Sequence, residues 1–152
     1  MHKGMHKLKK RQIPNLLTVA RLGAVLVSLA VILLKPQGAA WVLWGIFVAA
    51  SLTDFLDGYL ARRWQVVSPF GTWMDPVADK LLVITMLVYV VQRDVSLFLP
   101  VTVIILREVY ISSLREFLAA SQVPLPVSRA GKWKTASQLV GIALLLLAEA
   151  LP

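Results

Sequence analysis

Five apolar stretches, each close to the roughly 20 residues that carry a helix across a bilayer, govern what this chain can fold into. They run from about 16 to 34, from about 40 into an acidic motif that ends at 62–63, from 71 to 91, from 97 to 118 and from 135 to 151. Hydrophobic residues make up 58% of the 152, and the mean hydropathy is +0.73. Soluble domains sit nearer 45–50% apolar, roughly. The expectation is one all-α, polytopic transmembrane helix bundle of five spans at 13–152, behind a basic cytoplasmic tail at 1–12.

Against that background, four of the eight acidic residues fall within the 26 positions from Asp54 to Asp79. Asp54, Asp57, Gly58 and Ala61 recur at i, i+3, i+4 and i+7, one face of a helix. Gly71, Asp75 and Asp79 recur at i, i+4 and i+8, again one face. Two helices joined by a turn near Ser68-Pro69 would aim four carboxylates at one point.

Such a cluster needs compensation. An ionisable group at membrane depth costs about 2.5–3.5 kcal/mol on insertion scales. Two carboxylates about 5 Å apart repel by roughly 3 kcal/mol at an effective dielectric near 20. Protons or cations must offset this. The chain has no cysteine, and its two histidines, His2 and His6, lie in the tail. An oxygen-only donor set points to hard cations, Mg²⁺ or Mn²⁺. Two divalent ions would balance Asp54, Asp57, Asp75 and Asp79, an arrangement suited to phosphoryl chemistry. Gly58, Ala61 and Gly71 clear room for a ligand between the helices, or for close helix packing. Arg62, on nearly the same face, is placed to grip a diphosphate.

The formal charge of +8 does not signal nucleic acid, because the basic residues flank apolar spans and there is no soluble basic domain. With the N-terminus in the cytoplasm, five spans leave only Lys35 and Arg93 of the 16 bases outside. The aspartates then face the cytoplasmic half of the bilayer. The first apolar stretch is too long for a cleaved signal peptide and is interrupted by Arg21, so it reads as a retained helix.

The pattern D-x2-D-G-x2-A-R-x8-G-x3-D-x3-D, running from Asp54 to Asp79, resembles the signature of the CDP-alcohol phosphotransferases position for position. The resemblance implies a helical membrane enzyme that moves a phosphoryl-linked group from a CDP-activated alcohol to an acceptor hydroxyl and releases CMP. It implies that Asp54, Asp57 and Asp75 mainly bind metal and that Asp79 is the base and touches metal as well. The segments 13–21, 75–80, 107–116 and 131–135 are further similar to the bacterial phosphatidylglycerophosphate synthases. That match implies CDP-diacylglycerol as donor and glycerol 3-phosphate as acceptor, a membrane-lipid setting and a homodimer. Gly58, Ala61, Arg62, Gly71, Asn15, Thr18 and Arg21 would then bind the CDP-lipid. Arg107, Arg115, Arg129, Lys132 and Lys134 are the candidates for the acceptor phosphate. For Lys132 and Lys134 the competing reading is a topology signal, and for Arg107 it is neutralisation by Glu108 or a carboxylate across the bundle.

The family usually has six membrane helices, whereas five are found here, so a shortened and inactive member is one alternative. Another is the same chemistry with serine, inositol phosphate or phosphatidylglycerol as acceptor. A third is an ion or proton transporter built on an intramembrane acidic cluster, which the glycines and Arg62 at signature spacing disfavour.

Overall fold

The computed structural model describes residues 2–64, 69–121 and 129–151, with side chains described at 16–54, 74–121 and 133–151. Five helices make up this fold: α1 His2–Leu34, α2 Ala39–Trp64, α3 Pro69–Arg93, α4 Phe98–Ala120 and α5 Arg129–Ala150. The first helix continues without a break through Pro14 into the basic tail, so the tail is helical rather than a separate strand of chain.

The connections follow from local chemistry. α1 stops where Pro36 cannot continue it, and Lys35 N donates to Val31 O at 3.0 Å. Gly38 then takes a φ of +74°, which a side chain would disfavour, and its carbonyl accepts from Val42 N at 3.2 Å. Pro69 occupies the first position of α3, where a missing N–H costs nothing. Asp94 closes the far end: its carboxylate accepts from Ser96 N at 2.9 Å and caps a 3-10 turn, Val95–Leu97, that leads into α4.

α3 is the centre of the bundle and touches all four other helices, α1 most extensively; α2 pairs with α5, while α4 packs its backbone closely against α3 alone among the described helices and meets α5 through the Glu108–Lys134 ion pair. The core is built from i, i+4 stripes: Leu43 and Phe47 on α2, Leu82, Met86 and Val90 on α3, and Ile142 and Leu146 on α5, all buried. On α1 the buried positions are Thr18, Arg21, Val25, Ser28 and Ile32. Their alternating three- and four-residue steps are the seam of a coiled-coil-like contact.

The distribution of polarity is inverted relative to a soluble bundle. Thr18, Arg21, Ser28 and Thr85 are buried, while Leu26, Leu33, Val103, Leu106, Phe117 and Leu144 lie exposed. The hydroxyls of Ser28 and Thr85 are satisfied locally, donating at 2.7 Å to Ala24 O and Leu81 O. Among the described residues two helical stretches, Leu16–Leu34 and Val95–Ala120, are long and apolar enough to span a membrane, and Ala39–Asp54 is a shorter apolar segment. An apolar exterior around a polar seam is the pattern of an all-α membrane protein.

Candidate active site

The site forms where α1, α2 and α3 converge. Asp79 Oδ1 lies 2.6 Å from Arg21 Nη1, and Asp54 Oδ1 lies 2.9 Å from Arg21 Nη2. One guanidinium thus bridges carboxylates from two helices. One turn away, Thr18 donates through Oγ1 to Asp75 Oδ1. Because Thr18 and Arg21 are adjacent on the α1 seam and Asp75 and Asp79 are one turn apart on α3, a single helix–helix contact produces both pairings. Pro76 sits between the two aspartates and lacks the N–H that would hold the helix ladder at that turn.

The burial is asymmetric. The Arg21 side chain is 4% exposed, whereas those of Asp54 and Asp79 are 50% and 41% exposed. A guanidinium placed that deep requires partners, and each carboxylate keeps an open side. That open side faces a cavity of about 140 Å³. Arg21, Asp54, Asp79 and Lys80 line one wall, and Glu108, Lys134, Thr135 and Gln138 line the other.

Beside that second wall three charges meet, of which Glu108 and Lys134 line the cavity and Arg107 does not. Glu108 Oε1 accepts from Arg107 Nη1 at 2.9 Å and also pairs with Lys134 Nζ. Arg107 and Lys134 therefore come together with Glu108 as their shared counter-ion. Arg115 lies exposed two turns further along α4. The side chains of Asn15, Asp57, Gly58, Ala61, Arg62, Gly71, Arg129 and Lys132 lie outside the described residues; their backbones belong to α1, α2, α3 and α5.

Sequence reasoning grouped Thr18 and Arg21 with the nucleotide, and the structure places both against aspartates. The signal was present in the three-residue step between two polar side chains on an apolar helix, continued by Ser28. Lys80 and Thr135 end the segments 75–80 and 131–135 without a site role assigned from sequence, and Gln138 has none either. Lys80 was legible as the neighbour of Asp79; Gln138 was legible only as lying one turn beyond Lys134 on the same face.

The donor set fits a divalent cation. Asp54 and Asp79 already converge on one positive group, they are oxygen ligands, and each keeps an exposed face toward the cavity. Among the described residues no group of three or more acidic or histidine side chains closes around a single point. Asp75 is turned to Thr18.

Residues 11–151 match the CDP-alcohol phosphatidyltransferase family. A Cereibacter sphaeroides protein named CDP-diacylglycerol–glycerol-3-phosphate 3-phosphatidyltransferase is 45% identical over 143 residues, 91% of this chain and 65% of that protein. A Rickettsia typhi protein of the same name is 39% identical over 90% of this chain and 77% of its own length. A rice (Oryza sativa) protein named cardiolipin synthase (CMP-forming) is 37% identical over 88% of this chain, which spans 45% of it. No solved structure matches the chain. A match over almost the whole sequence, joined to aspartates that two helices aim at one point, shows that the chain belongs to the CDP-alcohol phosphatidyltransferase family.

Proposed function

We propose that this chain is a phosphatidyltransferase that moves the phosphatidyl group from CDP-diacylglycerol to glycerol 3-phosphate, giving phosphatidylglycerophosphate and CMP. The observation that carries this reading is the cavity itself: the carboxylates Asp54 and Asp79 of α2 and α3 on one side and the cation Lys134 of α5 on the other, with Arg107 joined to it through Glu108. The names of the Cereibacter and Rickettsia relatives support the same donor and acceptor.

Asp54, Asp57, Asp75 and Asp79 would hold Mg²⁺ or Mn²⁺, two ions in all, which when bound neutralise the donor's diphosphate and stabilise charge on the departing CMP. The chain's own groups supply the rest. Asp79 accepts the proton from the glycerol 3-phosphate hydroxyl. That oxygen attacks the phosphorus bearing diacylglycerol, and the bond from this phosphorus to the CMP oxygen breaks. Such general-base help is typically worth 10²–10⁴-fold. Positioning and electrostatics therefore contribute most of the acceleration. Lys134 and Arg107 hold the acceptor phosphate, with Arg115, Arg129 and Lys132 as further candidates. Gly58, Ala61, Arg62 and Gly71, with Asn15, form the CDP-lipid side, and the acyl chains remain in the bilayer.

The depth of the site agrees with catalysis at the cytoplasmic face of the inner membrane. Lys35, Arg93 and Glu149 gather at the opposite end of the bundle. Asp79 and Arg93 are 14 residues apart on α3, about 21 Å at 1.5 Å per residue, against a hydrocarbon core of about 30 Å. The reading includes a homodimer, to be checked by cross-linking in the membrane.

CMP formation from CDP-diacylglycerol, with and without glycerol 3-phosphate, tests the proposal. Release that depends on glycerol 3-phosphate supports it; no release under any condition sinks it. The rice relative's name favours one second reading, phosphatidylglycerol as acceptor. Substituting that lipid in the same assay separates the two.

A further inference from the structure

The aspartates that would hold divalent cations hold an arginine in this structure. We propose that Arg21 is the built-in counter-ion of the aspartate cluster and competes with divalent cations for Asp54 and Asp79. The inference rests on the metal-binding reading above and adds a residue that opposes it.

Three observations carry it. Arg21 reaches both carboxylates, Nη2 at 2.9 Å from Asp54 Oδ1 and Nη1 at 2.6 Å from Asp79 Oδ1. A divalent cation held by the same two carboxylates would sit close to the guanidinium, with little water between them because the Arg21 side chain is 4% exposed. Arginine cannot relieve that repulsion by losing its proton. The antagonism must appear as weaker metal binding or as movement of Arg21.

Movement has somewhere to go, since Arg21 already lines the cavity that Asp54 and Asp79 open into. A displaced guanidinium would stay beside the space where an anionic substrate lies. The charge is also not required for packing. Ser28, one heptad on at the equivalent position of the same α1 seam, is buried and uncharged, and the intervening Val25 is apolar. What a cation at position 21 supplies is cover for carboxylates that otherwise repel one another when no metal is present.

The test is Mn²⁺ binding to the purified full-length protein without substrate, read from the electron paramagnetic resonance signal of free Mn²⁺. The proteins compared are the parent chain, Arg21→Gln and Arg21→Lys. Loss of two charge-assisted contacts should tighten Mn²⁺ binding by roughly tenfold in Arg21→Gln. Arg21→Lys, which keeps the charge but loses the fork, should show a smaller gain in the same direction. Arg21→Gln should also unfold at lower temperature in chelator and regain more stability from Mn²⁺ than the parent does. A merely structural arginine would not produce that metal-specific recovery. If the parent binds Mn²⁺ and the variants bind equally well or more weakly, the competition is wrong and the metal reading stands. If no protein binds Mn²⁺, the metal reading falls and this inference with it. Should Arg21→Gln fail to fold, the direction of change in Arg21→Lys decides.

Discussion

Arg21 Nη1 lies 2.6 Å from Asp79 Oδ1, so the carboxylate assigned to proton abstraction is gripped by a guanidinium from another helix. That carboxylate lies between the guanidinium and the cavity, which ties its availability to what else enters the site. Four consequences can be measured around this contact and one in the core beside it.

Asp79→Asn keeps the shape of the side chain and removes its basicity. CMP release should fall at least about 100-fold, while CDP-diacylglycerol still binds. Near-normal product formation by this variant would refute the role given to Asp79.

Thr18→Val deletes the hydroxyl that donates to Asp75. A hydrogen bond to a charged group is worth about 1.5–3 kcal/mol. The Mg²⁺ concentration for half-maximal CMP release should therefore rise roughly tenfold or more. Thr18→Ser, which restores the donor, should behave like the parent chain. Equal Mg²⁺ dependence in all three proteins would remove Thr18 from the site.

Lys134→Met tests the second cavity wall. If Lys134 binds the acceptor phosphate equally in ground and transition states, KM for glycerol 3-phosphate rises, by about tenfold, and kcat changes little. The KM for CDP-diacylglycerol should stay as it was. A fall in kcat alone would assign Lys134 to some other task.

Chelation should abolish CMP release without unfolding the bundle, because Arg21 covers Asp54 and Asp79 in the metal's absence. Circular dichroism in chelator should match that of the Mg²⁺-loaded protein, and added Mg²⁺ or Mn²⁺ should restore turnover. Loss of helicity on chelation would show that the metal holds the fold.

Phe47→Ala removes a side chain that is 1% exposed and borders the cavity beside Asp54 and Asp79. Core Phe→Ala changes cost about 3–5 kcal/mol. In a membrane the expected loss lies near the lower end, since helix association there rests on packing more than on transfer from water. Unfolding in a denaturing detergent measures it, and a loss below about 1 kcal/mol would show that the site collapses around the gap.

Much of this arrangement was legible in the residues alone. The apolar lengths predict five helices, and the ends observed at Leu34, Arg93 and Ala120 fall within a few residues of the stretch ends at 34, 91 and 118. The spacing of Asp75 and Asp79 predicted a shared face on α3, and the structure uses it against α1. Glu108 was weighed only as a neutraliser of Arg107; it also binds Lys134, from a helix that sequence spacing cannot relate to it.

What the sequence determined by itself is local. Backbone polar groups in lipid must be satisfied within the segment, so an apolar run of the right length becomes a helix whatever surrounds it. Periodicity then sets which residues share a face. What only the tertiary structure decided is which faces meet and at what height. Thr18 reaches Asp75 across 57 positions, and Arg21 joins Asp54 and Asp79, because α1 packs along α3 in one rotation and one register. That choice depends on interdigitation between helices rather than on any run of neighbours, and it turned two polar residues of an apolar span into partners of the aspartates.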